Sequence, residues 1–186
     1  RSGPDALVPW RELAPWQNGF DGGFGSRFKP LGGSGVSFLN TGQVLPGANP
    51  GFVDSVLVAI DTVGVDSGTV SWTVASLGPA DRNFGVQILY RLDADDEFVE
   101  FANVPENELL YSTSGNAGSE KRFQEIPLPV EMLGHSRVEI RWVYYQLDGN
   151  SGGSIRPEIR LDDIVIAAQG QSAGMLDGDI VINELL

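Results

Sequence analysis

Apolar and polar residues alternate with a period of two through most of the chain between Val36 and Ala167. In Thr69–Ser76, Val70, Trp72 and Val74 fall on one face, and the residues between them are small or polar. Such alternation is typical of a strand with one buried face. We predict about eight strands: Val36–Asn40, Ser55–Thr62, Thr69–Ser76, Phe84–Leu92, Glu97–Ala102, Phe123–Leu128, Arg137–Leu147 and Glu158–Ala167.

The segments between these strands read as turns and loops. Gly64–Gly68 and the acidic Asp93–Asp96 are predicted turns, residues 103–121 a long polar loop, and Val130–Leu133 one helical turn. Prolines 127 and 129 place the strand before them at a sheet edge. No long 3.6-residue period appears, so the pattern predicts an all-β fold. We expect a two-sheet antiparallel β-sandwich of the jelly-roll type, since the Cys–Trp–Cys core of immunoglobulin domains is missing.

Composition narrows the classes of partner and of chemistry. The 186 residues contain no cysteine, which excludes disulfides, thiolate metal sites and cysteine nucleophiles. The formal charge of −13 repels a phosphate backbone, so we expect no nucleic acid partner, and it disfavours an anionic membrane surface. No apolar run approaches the roughly 20 residues of a membrane span, so none is expected.

The pattern also suggests domain boundaries. Residues 1–168 form the sandwich, with an extended N-terminal segment whose aromatic residues are interleaved with glycine. Residues 169–178 are small and polar, which is typical of a linker. Residues 179–186 (DIVINELL) then read as the first strand of a following domain.

Several segments resemble known modules. RLDDIVI (160–166) resembles the last strand of jelly-roll modules of the carbohydrate-binding and MAM-like kind. Together with VLVAIDTVGVDSGTVSWTV, VQILYRL and VEIRWVYYQL it resembles a domain of unassigned role found in large secreted bacterial proteins, over about residues 16–168. IVINELL (180–186) resembles the opening of a lamin-tail domain. The resemblance implies a secreted or cell-surface protein in which neighbouring domains of the same chain are partners.

The sequence offers little catalytic machinery. The single histidine, His135, lies in a Gly-His-Ser context typical of a loop, and no G-x-S-x-G nucleophile elbow is present. Pairs of carboxylates will occur by chance among 25 acidic residues, but the sequence places none of them in an obvious apolar pocket. We therefore expect a domain that is not an enzyme.

Calcium is the one cofactor that the residues suggest. Asp162 and Asp163 lie on the last strand, where alternation turns one of them outward. The resemblance to calcium-bearing jelly rolls implies that Asp21 supplies further oxygens, and the alternative is that an aspartate caps a neighbouring loop. The acidic runs Asp93–Glu97 and Asp148-Gly-Asn150 read first as turns.

A ligand patch is conceivable on one sheet face. Trp72, Trp142 and Tyr144 share apolar stripes and are expected in the core. The opposite stripe of the strongest strand, with its neighbour, carries the speculative ligand-binding residues Arg91, Glu139, Arg141 and Tyr145. This patch is either a saccharide groove or a face covered by solvent or by a loop.

These observations favour a non-catalytic binding or adhesion module of a secreted multidomain protein. Its expected ligand is a polysaccharide or cell-surface glycan, with calcium as a structural ion. A passive spacer between domains is the alternative, and an accessory domain of a secreted hydrolase is a further one.

Overall fold

The computed structural model describes residues 27–39, 54–78, 82–101, 104–113, 120–147 and 157–170. The strands are β1 Arg27–Pro30, β2 Val36–Leu39, β3 Asp54–Ile60, β4 Val65–Ser76, β5 Phe84–Arg91, β6 Val99–Glu100, β7 Tyr111–Ser112, β8 Glu120–Pro127, β9 Val138–Gln146 and β10 Ile159–Gly170. One helical turn, α1, spans Glu106–Leu109, and short 3-10 helices span Gly32–Ser34 and Val130–Met132.

The strands form two antiparallel sheets that pack face to face. Sheet A has the order β1-β2-β10-β4-β8, and sheet B has the order β3-β9-β5-β6, with β7 also paired to β5. Without β1 and the short β7, eight strands remain, and they can be numbered 1 to 8 in chain order. In this numbering sheet A has the order 1-8-3-6 and sheet B has the order 2-7-4-5. This is the order of a jelly roll, in which the chain crosses between the sheets at nearly every step. The predicted sandwich is confirmed.

The core between the sheets is rich in aromatic rings. Trp72 of β4 stacks on Phe123 of β8 at a centroid distance of 4.4 Å. It also meets the edge of Trp142 of β9 at 6.0 Å. Tyr144 packs between Phe38 and Phe84, at 5.2 and 5.0 Å. All of these side chains are buried, which confirms the core prediction for Trp72, Trp142 and Tyr144.

A β-bulge interrupts β10. Asp162 pairs with Thr73 and Val165 pairs with Ser71, so β10 advances by three residues where β4 advances by two. The additional residue, Asp163, has a left-handed backbone with φ of 53°. Ile159 and Leu161 face the core before the bulge, and Ile164 and Ile166 pack against it afterwards. The alternation predicted for Asp162 and Asp163 is therefore broken between them.

A second bulge lies in β8, on the other side of β4. Val70 pairs with Ile126 and Trp72 with Phe123, so β8 also has one residue more than β4. Glu125 has φ of 51° there. The bulge brings both Phe123 and Ile126, which differ by three positions, to the core. The central strand β4 is thus flanked by two bulges at the same level of the sheet.

Some element bounds differ from the sequence prediction. The turn predicted at Gly64–Gly68 is shorter, because β4 begins at Val65 and pairs with the end of β10 at Gly170. The polar loop predicted for residues 103–121 contains α1 and β7, because Leu109 and Tyr111 are buried in the core. The acidic turn is confirmed: the Asp96 amide donates to the Asp93 carbonyl at 3.1 Å.

Other predictions fall on residues outside the described ranges. These are Asp21, the Asp148-Gly-Asn150 turn, most of the 169–178 linker and the segment 179–186. Gln169 and Gly170, the first two residues of the predicted linker, are the last residues of β10.

In the part of the chain that the structure describes, no helix has the length and apolarity needed to span a bilayer.

Candidate functional site

The outer face of sheet B carries the side chains predicted as a ligand patch. Arg91 of β5 and Glu139 of β9 are directly opposite each other, and their Nε and Oε2 atoms are 2.5 Å apart. Arg141 and Tyr145 follow on the same face of β9. The exposed fractions are 6% for Arg91, 3% for Glu139, 4% for Arg141 and 3% for Tyr145. The structure thus brings the predicted residues together and buries them.

Both carboxylate oxygens of Glu139 accept hydrogen bonds from arginine side chains. One of them, Oε1, accepts hydrogen bonds from Nε and Nη2 of Arg137 at 3.0 and 2.7 Å. The ring of Phe98 lies against the guanidinium groups of Arg91 and Arg141, with centroid distances of 4.5 and 5.1 Å. Arg91 Nη1 also donates to the carbonyl of Asp96 at 3.4 Å. The segment between β5 and β6 therefore covers these cations.

The rest of this face is closed in the same manner. Tyr145 donates to Gln87 Oε1 at 3.1 Å, and Gln87 Nε2 donates to Glu100 at 2.8 Å. Val143 and Tyr145 form a small second hydrophobic cluster with Leu89, Leu110 and Leu147. We call Arg91, Phe98, Arg137, Glu139, Arg141 and Tyr145 the closed network. A ligand there would have to displace these contacts, so the patch stays a prediction.

The outer face of sheet A is different, because both bulges lie on it. Asp163 Oδ2 accepts from the hydroxyl of Thr73 at 3.1 Å. The amide of Asp163 donates to Asp162 Oδ1 at 2.8 Å. On the other side of β4, the amide of Glu125 donates to Ser71 Oγ at 2.9 Å. We call Ser71, Thr73, Arg122, Glu125, Asp162 and Asp163 the bulged face.

Charged side chains also lie beside the bulges, where Arg160 of β10, Ala75 of β4 and Glu120 of β8 are paired across the sheet. Arg160 reaches over Ala75 and donates from Nη2 to Glu120 Oε2 at 2.7 Å, which explains why outward-facing Ala75 is buried. Arg122 Nε donates to the other oxygen of Glu120 at 2.9 Å. The hydrogen bond to Glu120, its charge and the charge of Asp163 raise the pKa of Arg122 above its usual value. Arg122 and Glu120 are both exposed, so these pairs lie in water.

The loop between β1 and β2 approaches the bulge closely. At Gly35, which has φ of 76°, a Cβ would come within 2.2 Å of the Leu161 carbonyl oxygen and 2.8 Å of Asp162 Oδ1. A left-handed backbone and this contact both require glycine. The position of Asp162 is therefore fixed from two sides, by Gly35 and by the bulge.

The aspartates alone do not complete a calcium site. Calcium takes about six to eight oxygens, and both carboxylates already accept hydrogen bonds. Within the described ranges, no three His, Cys, Asp or Glu side chains are grouped so that they could hold a metal ion. Asp21 lies outside those ranges, so calcium at Asp21, Asp162 and Asp163 stays a prediction.

Sequence reasoning did not single out Ser71, Thr73, Arg122 or Glu125. A signal was present, because the apolar positions change phase. In β10 the apolar residues have odd numbers at Ile159 and Leu161 and even numbers at Ile164 and Ile166. Phe123 and Ile126 show the same change in β8. A phase change inside a strand indicates a bulge, since side chains otherwise alternate strictly.

Comparison with known proteins adds no relative: no protein-family model matches the chain, and no curated protein matches it significantly.

Proposed function

We propose that this domain is a non-catalytic binding or adhesion module of a secreted or cell-surface multidomain protein, and that a polysaccharide or cell-surface glycan docks on the bulged face. The observation that carries the proposal is the pair of bulges on either side of β4. Each holds an acidic residue in a left-handed backbone, Asp163 on one side and Glu125 on the other.

The energetics favour a functional reading of these bulges. A residue other than glycine in a left-handed backbone costs about 1–2 kcal/mol, and such outliers cluster at ligand sites. Bulges also re-aim side chains near sites and are retained features of families. The bulges keep the apolar side chains of β8 and β10 at the core, and two of them at one level of one sheet also turn polar groups outward together.

The chemistry of the bulged face suits a polyhydroxylated ligand. Arg122 supplies donors, while Asp162, Asp163 and Glu125 supply acceptors, so neighbouring hydroxyl groups can both donate and accept. The formal charge of −13 disfavours an anionic polymer. We therefore favour a neutral glycan, with the jelly-roll resemblance as further support.

A passive spacer between neighbouring domains is the second candidate. The closed network favours it, because buried ion pairs and a covered face give a rigid body with few groups left for a ligand on that side. The two candidates make opposite predictions for the bulged face.

The test is affinity electrophoresis against a panel of neutral plant, algal and bacterial polysaccharides. We expect at least one to retard the protein. The variants Arg122→Ala and Asp163→Asn should weaken that retardation at least about tenfold, as expected when a charged hydrogen-bonding group is lost. Asparagine tolerates the left-handed backbone of Asp163, so the fold is kept.

The matched control is Asp66→Asn, another exposed aspartate at the start of β4, which should bind like the parent. Failure of every polysaccharide to bind would reject the glycan proposal and favour the spacer. Binding that is equal in the parent, Arg122→Ala and Asp163→Asn would place the site elsewhere.

A further inference from the structure

A pocket of about 230 Å³ opens at one end of the sandwich, where the segment after β5 meets the segment before β9. It is lined by Leu92, Asp93, Ala94, His135, Ser136 and Arg137, which we call the end pocket. We propose that the end pocket binds a single neutral sugar unit. This site is separate from the bulged face and does not depend on binding there.

The wall of the end pocket formed by His135 and Arg137 is held by buried residues. The backbone of His135 is tied to buried Thr62: the Thr62 amide donates to the His135 carbonyl at 2.8 Å, and the His135 amide donates to Thr62 Oγ1 at 3.1 Å. Arg137 is held by its two hydrogen bonds to Glu139, which is itself held by Arg91. A pocket whose walls are already ordered loses little entropy on binding.

Groups on these anchored residues remain available to a ligand. Arg137 is half exposed, and its Nη1 has no hydrogen-bond partner among the described residues. Neither ring nitrogen of exposed His135 has one in the same ranges. Asp93 Oδ1 accepts from the amide of Asp95 at 3.3 Å, which orients the carboxylate at the turn.

The combination of groups defines the ligand class. The guanidinium of Arg137 and the carboxylate of Asp93, on the two segments that line the pocket, can donate to and accept from neighbouring hydroxyls, while Leu92 and Ala94 offer apolar contact to ring carbons. An anion is disfavoured, because Asp93, Asp95, Asp96 and Glu97 all lie in the adjoining segment. The volume is below the roughly 300–1,000 Å³ of pockets that enclose drug-sized ligands, so one sugar ring fits better than a longer chain.

His135 gives a direct probe, because it is the only histidine in the chain. Its ring-proton signal in the NMR spectrum belongs to no other residue. We would titrate the intact protein with the methyl glycosides of glucose, galactose, mannose and fucose, and with methyl glucuronide as the anionic counterpart. We expect a saturable shift of the His135 signal with at least one neutral glycoside, and a weaker response to the glucuronide.

The variants separate this site from a general effect. Asp93→Asn keeps the turn, because an asparagine oxygen also caps the Asp95 amide, but it removes the charge. It should weaken the interaction at least about tenfold, and Asp95→Asn, its neighbour, should leave it unchanged.

Each other outcome overturns the proposal. No saturable shift with any neutral glycoside, an equal shift in Asp93→Asn, or tighter binding of the glucuronide would each refute a neutral sugar site. Polysaccharide binding that persists through such a result, with its dependence on Arg122 and Asp163, would leave the proposed function standing.

Discussion

The two outer faces of the sandwich carry similar ion pairs, but the pairs differ in their exposure to solvent. On sheet B, Glu139 accepts from two arginines and its side chain is 4% exposed. On sheet A, Glu120 also accepts from two arginines, yet its side chain is 36% exposed. The ionic chemistry is the same in both places. What differs is the cover, because the segment bearing Phe98 lies over the arginines of sheet B.

This comparison shows that a charged stripe on a strand does not by itself mark a ligand site. Within the closed network, Arg91 and Glu139 are buried against each other, and Phe98 of the β5–β6 segment packs on Arg91 and Arg141. The bulged face instead uses two irregular backbones to present Asp163 and Glu125 beside Ser71 and Thr73. Backbone irregularity, rather than charge, distinguishes the surface that we propose for binding.

The largest expected effect comes from removing one carboxylate on each face. Glu139→Gln should destabilise the protein by about 3–5 kcal/mol, because the buried Arg91 loses its charged partner. Glu120→Gln should cost at most about 1 kcal/mol, since its pairs are exposed to solvent. The free energies of unfolding from urea titrations of both variants and the parent measure the difference.

Equal costs for the two variants would contradict the proposed difference between the two faces, because they would mean that Glu139 is as well hydrated as Glu120. High salt offers a second check on the folded proteins. It should weaken the Glu120 pairs more than the Glu139 pairs, since buried pairs are screened much less.

Much of this architecture follows from the sequence. Alternation predicted the strands and the sandwich, and the apolar stripe placed Trp72 and Trp142 in the core. The burial of the outer face of sheet B by the β5–β6 segment did not follow. A polar stripe such as Glu139 and Arg141 has the same sequence pattern whether it faces solvent or is covered by a loop. The bulges did not follow either, since strict alternation puts Asp162 and Asp163 on opposite faces, whereas the apolar positions change phase between Leu161 and Ile164.

A smaller effect tests whether the bulges are retained for function. Glu125→Gly should stabilise the protein by about 0.5–1 kcal/mol, because glycine adopts the left-handed backbone without steric cost. Glu125→Ala is the matched control; it removes the same carboxylate, keeps the strain and should not stabilise. Thermal unfolding of the three proteins measures this. A destabilised Glu125→Gly would mean that the side chain contributes to stability, which would weaken the functional reading of the bulge.

The smallest effect concerns Tyr90 on the core side of β5, the strand that carries Arg91 on its outer face. Burial raises the pKa of Tyr90 above 10.0, and the charge of Glu131 raises it further. Between 10.0 and the raised value the folded protein keeps a proton that the unfolded chain has lost. Stability from this group is therefore complete below pH 10.0 and is lost as the pH rises through the raised pKa.

Tyr90→Phe should flatten that alkaline loss while leaving the slope between about pH 7 and 9 unchanged, because no ionisable group remains at the position. The comparison isolates Tyr90. Burial lowers the pKa of Lys121, which acts with the opposite sign, but Lys121 is present in both proteins. Urea unfolding at a series of alkaline pH values measures the difference. Parallel curves for the two proteins would show that the Tyr90 hydroxyl is solvated in the folded protein, and that the core side of β5 is less tightly closed at this position than its outer side.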